Sequence, residues 1–427
     1  MRIVKSNCNF EREPMTAPFG FKGGYLSELW QSVVMLEDDN GNKGIGLGVQ
    51  STLWSDPAIF TKHSESAGNS IMFLMTAFAV EQAQHTDWDT PPDLIDQLLP
   101  LTYDYGKKIT NNPYLRLTFA LNALVPVDNA AWLVYCKAKG IDSFDDLIPL
   151  NLRSALSCRH NKLGAIPLLS YGVTIEQIRQ MLDEGHFFLK IKIGSDPNKD
   201  GNLDAMLEWD TDRLKGIHAL AGQYSTPYTD NGKLAYYLDA NGRYDKEHLL
   251  RLLDYAKKIG AFDQIILFEE PFAEECQIDV HDIPVCIAAD ESAHSIKESL
   301  ERIDLGYKAI ALKPIAKTMS MSLQIAKVAH DKNVSCFCAD LTVNPVMVDW
   351  NKNVAARLSP LPGMKIGVLE SNGHQNYKNW RQMMSYHPCV GGGWTQAKDG
   401  LFELGNEFYR QSGGIFKSAN KYSEMVK

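Results

Sequence analysis

No run of apolar residues in this 427-residue sequence approaches the ~20 that a membrane-spanning helix needs; the longest, Ile71–Val80, falls well short. Met1–Glu13 has no apolar core of the signal-peptide kind, so a cytoplasmic protein with no membrane partner is expected. The eight cysteines include no Cys-x-x-Cys pair. Neither a zinc site nor a disulfide framework is indicated, and Cys336 and Cys338 read as reduced residues of a buried strand. Positive charge is in deficit: 43 Lys and Arg face 52 Asp and Glu, a net charge of -9. That balance argues against nucleic acid as a partner and favours small molecules. Low-complexity tracts are missing too, and with 44% hydrophobic and 22% charged residues the chain is expected to fold throughout.

What is present divides by texture. Up to about residue 160 strands and helices do not alternate regularly. Ser32–Glu37 and Ile45–Val49 flank a turn rich in Asp, Asn and Gly, which predicts a hairpin. Apolar residues recur at helical spacing over Ser70–Gln84, Pro92–Lys107 and Leu115–Lys139, the last with Gly140 as a C-cap, so this region reads as α+β. Near its start, Phe19–Tyr25 is rich in glycine and aromatics and reads equally well as a lid or a plain surface loop.

From about Ala165 short apolar strands alternate with helices. Eight strands are expected: Ala165–Tyr171, Phe187–Ile193, Leu234–Asp239, Gln264–Glu269, Val285–Asp290, Lys308–Lys313, Val334–Asp340 and Lys365–Glu370. Helical segments such as Thr174–Glu184, Lys246–Ile259, Ile296–Ile303 and Met319–Asp331 lie between them, the pattern of parallel strands with right-handed crossovers. Eight such strands suit an α/β barrel. A doubly wound sheet is the competitor, but no Gly-x-Gly-x-x-Gly or P-loop follows any of them. After Gly373 the alternation stops, and the stretch through Leu401–Leu404 reads as a tail returning to the N-terminal region.

The second strand is unusual. Side chains alternate faces along a strand, so Lys190 and Lys192 share one side while Leu189, Ile191 and Ile193 share the other. An edge strand showing lysines to water is the plain alternative; otherwise something anionic must face two ammonium groups. The later strands supply it. Asp239, Glu269 and Asp290 end three successive strands, and Lys313 ends the next, all at the end where α/β barrels carry their active sites. Three converging carboxylates repel unless a cation sits among them, and an all-oxygen set suits Mg²⁺ ahead of Mn²⁺.

With these motifs the chain resembles the enolase superfamily, in its muconate-lactonizing-enzyme-like subgroup (the mandelate racemase/muconate lactonizing enzyme family). The resemblance implies an α/β barrel, a modified TIM barrel of (β/α)7β type, with an α+β capping domain. Residues 1–160 would form the cap, 161–375 the barrel, and 376–427 a C-terminal segment returning to the cap. By similarity Asp239, Glu269 and Asp290 would hold the metal, with Glu270 behind them. Lys192 and Lys313 would be the acid/base catalysts, and Lys190 and Asn241 would support the base and the substrate carboxylate. Asp340 and Glu370, ending strands seven and eight, are either substrate contacts or structural. His281, His294 and His374 lack ligand-like spacing.

Such a site removes the proton α to a carboxylate, giving an ene-diolate that Mg²⁺ and an ammonium stabilise; a lysine base working beside Mg²⁺ is a known pairing in this superfamily. Two lysines on opposite sides of the barrel suit a racemase or epimerase acting on an amino-acid or dipeptide-like carboxylate. A β-eliminating dehydratase or synthase, or a cycloisomerase, remains open, as does a Schiff-base aldolase using Lys313. A homo-oligomer is expected. Repulsion among the three acids further predicts that Asp239→Asn, Glu269→Gln or Asp290→Asn relieves strain in the metal-free protein.

Overall fold

The computed structural model describes residues 1–21 and 24–427. Three long antiparallel strands open the chain: β1 (Ile3–Phe21), β2 (Gly24–Asp38) and β3 (Lys43–Gln50), paired in that order. The expected hairpin is thus the end of a longer meander. Most of the glycine-rich stretch is strand, with Phe19 paired to Leu26 and Phe21 to Gly24. Lys22 and Gly23, on which the lid reading turns, lie outside the described residues. Helices Glu65–Ala83, Pro91–Thr110 and Leu117–Lys139 cover the sheet, the last ended by Gly140 in the left-handed conformation.

Polar residues interrupt its apolar run, yet by length and mean hydropathy Leu117–Lys139 could cross a membrane, which the expectation from unbroken runs did not register; it is buried inside the protein against β3. The alternate glycines of β3 make that packing possible. A Cβ on Gly46 would stand 2.0 Å from the carbonyl oxygen of Pro126, and one on Gly44 2.1 Å from that of Ala130. Only a strand without side chains on that face can lie so close to the helix backbone.

The second sheet has ten strands: β4 (Lys162–Ile166), β5 (Leu168–Leu169), β6 (Phe188–Lys192), β7 (Ala235–Asp239), β8 (Ile265–Glu269), β9 (Ile287–Ala289), β10 (Ala309–Leu312), β11 (Ser335–Cys338), β12 (Gly367–Glu370) and β13 (Leu401–Glu403). From β5 to β12 neighbours pair in sequence order and in parallel, and β12 pairs with β4. The sheet curls in the manner of a TIM barrel beneath the capping domain. Two expectations are corrected. The first strand begins at Lys162, before Ala165, and breaks at Pro167, which has no N–H to give the ladder; β4 pairs with β12 and β5 with β6. Leu401–Glu403 does not join the N-terminal sheet: it pairs antiparallel with β4 as an added edge strand. The chain's last residues do reach the cap, where Lys421 pairs with Glu11 and Asn9 donates to the Met425 carbonyl.

The cap is tied to the barrel through buried polar contacts. Asp128 accepts hydrogen bonds from Ser320 N at 2.9 Å and Ser320 Oγ at 2.5 Å, at the start of helix Met319–Asp331. Gln31 of β2 receives a bond from Asn344 at 3.0 Å and donates to Tyr377 at 2.9 Å.

Candidate active site

Register builds the site. β6 lies against β7 with Lys190 beside Tyr237 and Lys192 beside Asp239, and β7 lies against β8 with Asp239 beside Glu269. Parallel strands in this register align Lys192, Asp239 and Glu269 at their C-terminal ends, with Asp290 just past β9 and Lys313 just past β10. Asn241 and Glu270, which follow two of these strands, both stand at positive φ, a conformation costly for residues with a Cβ.

The lysines of β6 do not face water. Lys190 is 3% exposed, and its ammonium reaches Tyr237 Oη at 2.9 Å, Asp239 and Glu269 at 3.0 Å and Glu370 at 3.1 Å. Burial alone would depress its pKa, but Asp239, Glu269 and Glu370 hold it well above the ordinary lysine value. Lys190 is therefore a fixed cation inside a cage of acids. Lys192 donates to Asp239 Oδ2 at 2.5 Å and to Asn241 Oδ1 at 2.6 Å. Asn241 passes the contact on, donating to Glu291 at 3.0 Å.

Across the site Lys313 is ion-paired with Asp290, and Lys317 Nζ stands 3.0 Å from the other oxygen of the same carboxylate. Burial opposes the charge on Lys313, and Asp290, Glu291 and Glu269 outweigh it, raising its pKa. Asp290, though buried, is held well below the usual carboxylate range by Lys313 and Lys317. Asp239 is likewise buried and held at about 2 by Lys190 and Lys192. Glu269 behaves differently: burial pushes it up to about 7 against the pull of Lys190. The expected relief of repulsion is thus corrected for Asp239 and Asp290, which attract their surroundings on balance.

The residues present fit a divalent cation. Oxygens of Glu269, Asp290 and Glu291 lie within 4.8 Å of one another, all three side chains are buried, and Glu269 Oε1 receives no hydrogen bond. An all-carboxylate set suits a hard ion. Asp239, expected in the same set, turns one oxygen to Lys190 and Lys192, while Glu291 stands in the group. Glu270 lies behind it, its Oε2 accepting from the Asp290 amide at 2.7 Å and from Ser292.

Lys190, Lys192, Asp239, Asn241, Asp290, Lys313, Asp340 and Glu370 line one cavity with the apolar side chains of Leu26, Leu29 and Trp54 from the cap and Leu168 and Leu341 from the barrel. Trp54 packs its ring 4.7 Å from Lys313 Nζ. Asp340 and Glu370 are engaged internally. Asp340 accepts from the amides of Leu341 and Asn372 at 2.8 and 2.7 Å, and Glu370 accepts from the Asp340 amide at 3.0 Å as well as from Lys190. Burial and the neighbouring Glu370 push Asp340 up to about 7. His281 is exposed on the surface, and His294 and His374 lie outside the cavity. Sequence reasoning missed Lys317, Glu291 and Asn372. Only Glu291 carried a signal, its position next to Asp290.

Residues 173–364 match the family model described as Enolase C-terminal domain-like. That stretch of the chain is enolase C-terminal domain-like, and the superfamily it resembles is one of enzymes. No curated protein is matched by sequence. Among solved structures, a mandelate racemase/muconate lactonizing protein from Herpetosiphon aurantiacus aligns with a TM-score of 0.67 at 17% identity, covering 94% of this chain and 96% of that one. A dipeptide epimerase from Enterococcus faecalis, complexed with Mg and the dipeptide L-Leu-L-Tyr, aligns at 0.65 and 17% over 95% and 98%. An N-succinyl Arg/Lys racemase from Bacillus cereus aligns at 0.61 and 16% over 88% and 89%. At these identities the likeness is one of fold.

Proposed function

We propose that this protein is a racemase or epimerase that takes the proton α to a substrate carboxylate from one face and returns a proton to the other, with Lys192 and Lys313 as the two acid/base groups. The observation that carries the reading is that both lysines, on β6 and just past β10, open into one cavity beside the same carboxylate cluster. The proposed substrate is a small amino-acid or dipeptide-like carboxylate, in keeping with the dipeptide epimerase and N-succinyl amino-acid racemase among the structural neighbours. The sheet is read as a (β/α)7β barrel closed through residues 162–169, and the enzyme as cytoplasmic.

Glu269, Asp290 and Asp239, with Glu291 beside them, would hold a divalent cation, Mg²⁺ ahead of Mn²⁺. When bound, the cation supplies positive charge next to the substrate carboxylate as negative charge builds there. Lys190 adds a permanent charge and takes no part in proton transfer, because its acids keep it protonated. A lysine acting as base must be neutral at that moment, about 3 pKa units below its free value. Asp239 and Asp290, if engaged by such a cation, would give up part of their present ion pairs with Lys192 and Lys313. Trp54, Leu26 and Leu29 close the cavity from the cap and exclude water.

Stereospecific exchange in D₂O tests the reading with a panel of dipeptides and N-acylamino acids. Lys192→Ala should exchange deuterium into the enantiomer served by Lys313, Lys313→Ala should do the reverse, and neither should complete inversion. Inversion surviving in both variants would rule the two-base mechanism out. If one lysine alone is needed for proton abstraction, the enzyme is an eliminating or cycloisomerising member of the family instead. A chelator should abolish wild-type exchange and Mg²⁺ should restore it.

A further inference from the structure

Just past β10 stand two lysines, Lys313 and Lys317, and of the two only Lys313 lines the substrate cavity. Lys317 is 1% exposed. A single helical turn places it: its amide donates to the Lys313 carbonyl at 2.7 Å, which brings its side chain back to the end of β9. There the ammonium donates to the carbonyl oxygens of Asp290 at 2.6 Å, Ala293 at 3.1 Å and Ala311 of β10 at 3.5 Å, and it stands 3.0 Å from Asp290 Oδ1. The other carboxylate oxygen, Oδ2, is paired with Lys313. One buried cation thus holds both the backbone and the side chain of the residue to which Lys313 is tied. An ammonium buried this deeply is costly unless its bonds are met, and these oxygens meet them. The turn carries a second cost. Thr318, next in the chain, stands at φ 71°, a region that a β-branched residue adopts only where its surroundings over-determine the geometry.

We propose that Lys317 is a positioning residue for Lys313: by gripping Asp290 from outside the cavity it fixes the carboxylate that aims the Lys313 ammonium. It touches no substrate and moves no proton. Its counterpart across the site is Lys190, which stands 3.0 Å from the Asp239 oxygen that Lys192 uses. The effect on proton exchange rests on the proposed two-lysine reaction; the placement of Lys313 does not.

Lys317→Met removes the ammonium and keeps the apolar stem. In a metal-free crystal structure of that variant, set beside the parent's, the Asp290 side chain should turn and Lys313 should leave its place; if both are unmoved the inference is overturned, whatever the reaction. Kinetics at saturating Mg²⁺ separate aiming from general bracing, since a brace would serve both faces of the substrate. Added to Lys192→Ala, which leaves the face served by Lys313, the change should slow deuterium exchange roughly tenfold to a hundredfold, the cost of a misplaced group, while added to Lys313→Ala it should alter exchange by less than about twofold. Equal effects in the two backgrounds, a loss in both or in neither, overturn the inference and leave the proposed function standing. If exchange needs one lysine alone, the two-base reading fails and the crystal structure decides the inference by itself. Should Lys317→Met not fold, Lys317→Gln, whose amide ends one bond short of the lysine nitrogen, is judged by the same two measurements.

Discussion

Replacing Asp290 with Asn in the metal-free protein sets two physical arguments against each other. If the acids at the strand ends mainly repel, removing one charge stabilises the apo protein. The contacts say otherwise. Asp290 is 1% exposed, one of its oxygens is ion-paired with Lys313 and the other stands 3.0 Å from Lys317, itself 1% exposed. Asparagine leaves two buried ammonium groups short of a counter-charge, and breaking a buried pair in this way costs about 3–5 kcal/mol. Glu269→Gln is the internal control. Its carboxyl, pushed up to about 7, is already half protonated at neutral pH, and an amide oxygen can still accept the bond that Lys190 now gives to Oε2. That variant should stay within about 1 kcal/mol of the parent. Urea and thermal midpoints in EDTA, followed by circular dichroism and tryptophan fluorescence, make the comparison; midpoints are the safer readout because a chain with a cap and a barrel need not unfold in one step. Asp290→Asn should melt several degrees lower than both the parent and Glu269→Gln. A metal-free Asp290→Asn protein as stable as the parent would refute the charge balance derived from the two lysines.

The same acids predict acid sensitivity. Asp239 is held at about 2 against an ordinary value of 3.8, so its stabilisation is complete above pH 4 and is lost as pH falls from 4 toward 2, an amount of about 2 kcal/mol that Asp239→Asn should remove from the pH profile of the melting temperature. Asp128 runs the other way. Burial pushes it up to about 7 despite two bonds from Ser320, so the unfolded chain releases its proton first and stability falls between pH 4 and pH 7 by about 4 kcal/mol. Asp128→Asn should flatten that part of the profile; an unchanged slope would mean the carboxylate is charged where it sits. Trp54→Leu should leave the fold intact and slow turnover by roughly threefold to thirtyfold, the worth of a ring facing an ammonium, with a kcat unchanged from wild type counting against any role for the contact with Lys313. Gly46→Ala, whose methyl would meet the Pro126 carbonyl, should lower the cap's melting temperature sharply, and a wild-type melt would show that the strand can move aside.

Much of the barrel was legible because its signals are local. A strand such as Phe188–Lys192 is short and apolar on one face, and the acids and lysines that end successive strands fall at fixed offsets from them. What the sequence hides is partnership. The charges of Lys190 and Lys192 are visible in the chain, but that three acids from β7, β8 and β12 surround Lys190 depends on register across the sheet. Lys317 goes unmarked in the sequence because nothing local signals a side chain that folds back to Asp290. The break at Pro167 was written in the sequence and under-read, since a proline beside a strand can end it or merely interrupt it. The tail misled for a different reason: Leu401–Glu403 is three residues long, and the choice of which sheet edge so short a strand joins is made by packing, not by its own composition.

The bare face of β3 sets how this enzyme can change. With Gly44 and Gly46 pressed on the backbone of helix Leu117–Lys139, strand and helix behave as one rigid plate, and Leu26, Leu29 and Trp54 are studs fixed to its rim. A lineage acquiring a new substrate gains nothing by tilting that plate, since any tilt drives a carbonyl into a Cα. Its accessible route is to exchange the studs one at a time, which keeps the barrel chemistry untouched while the wall opposite the lysines is recut.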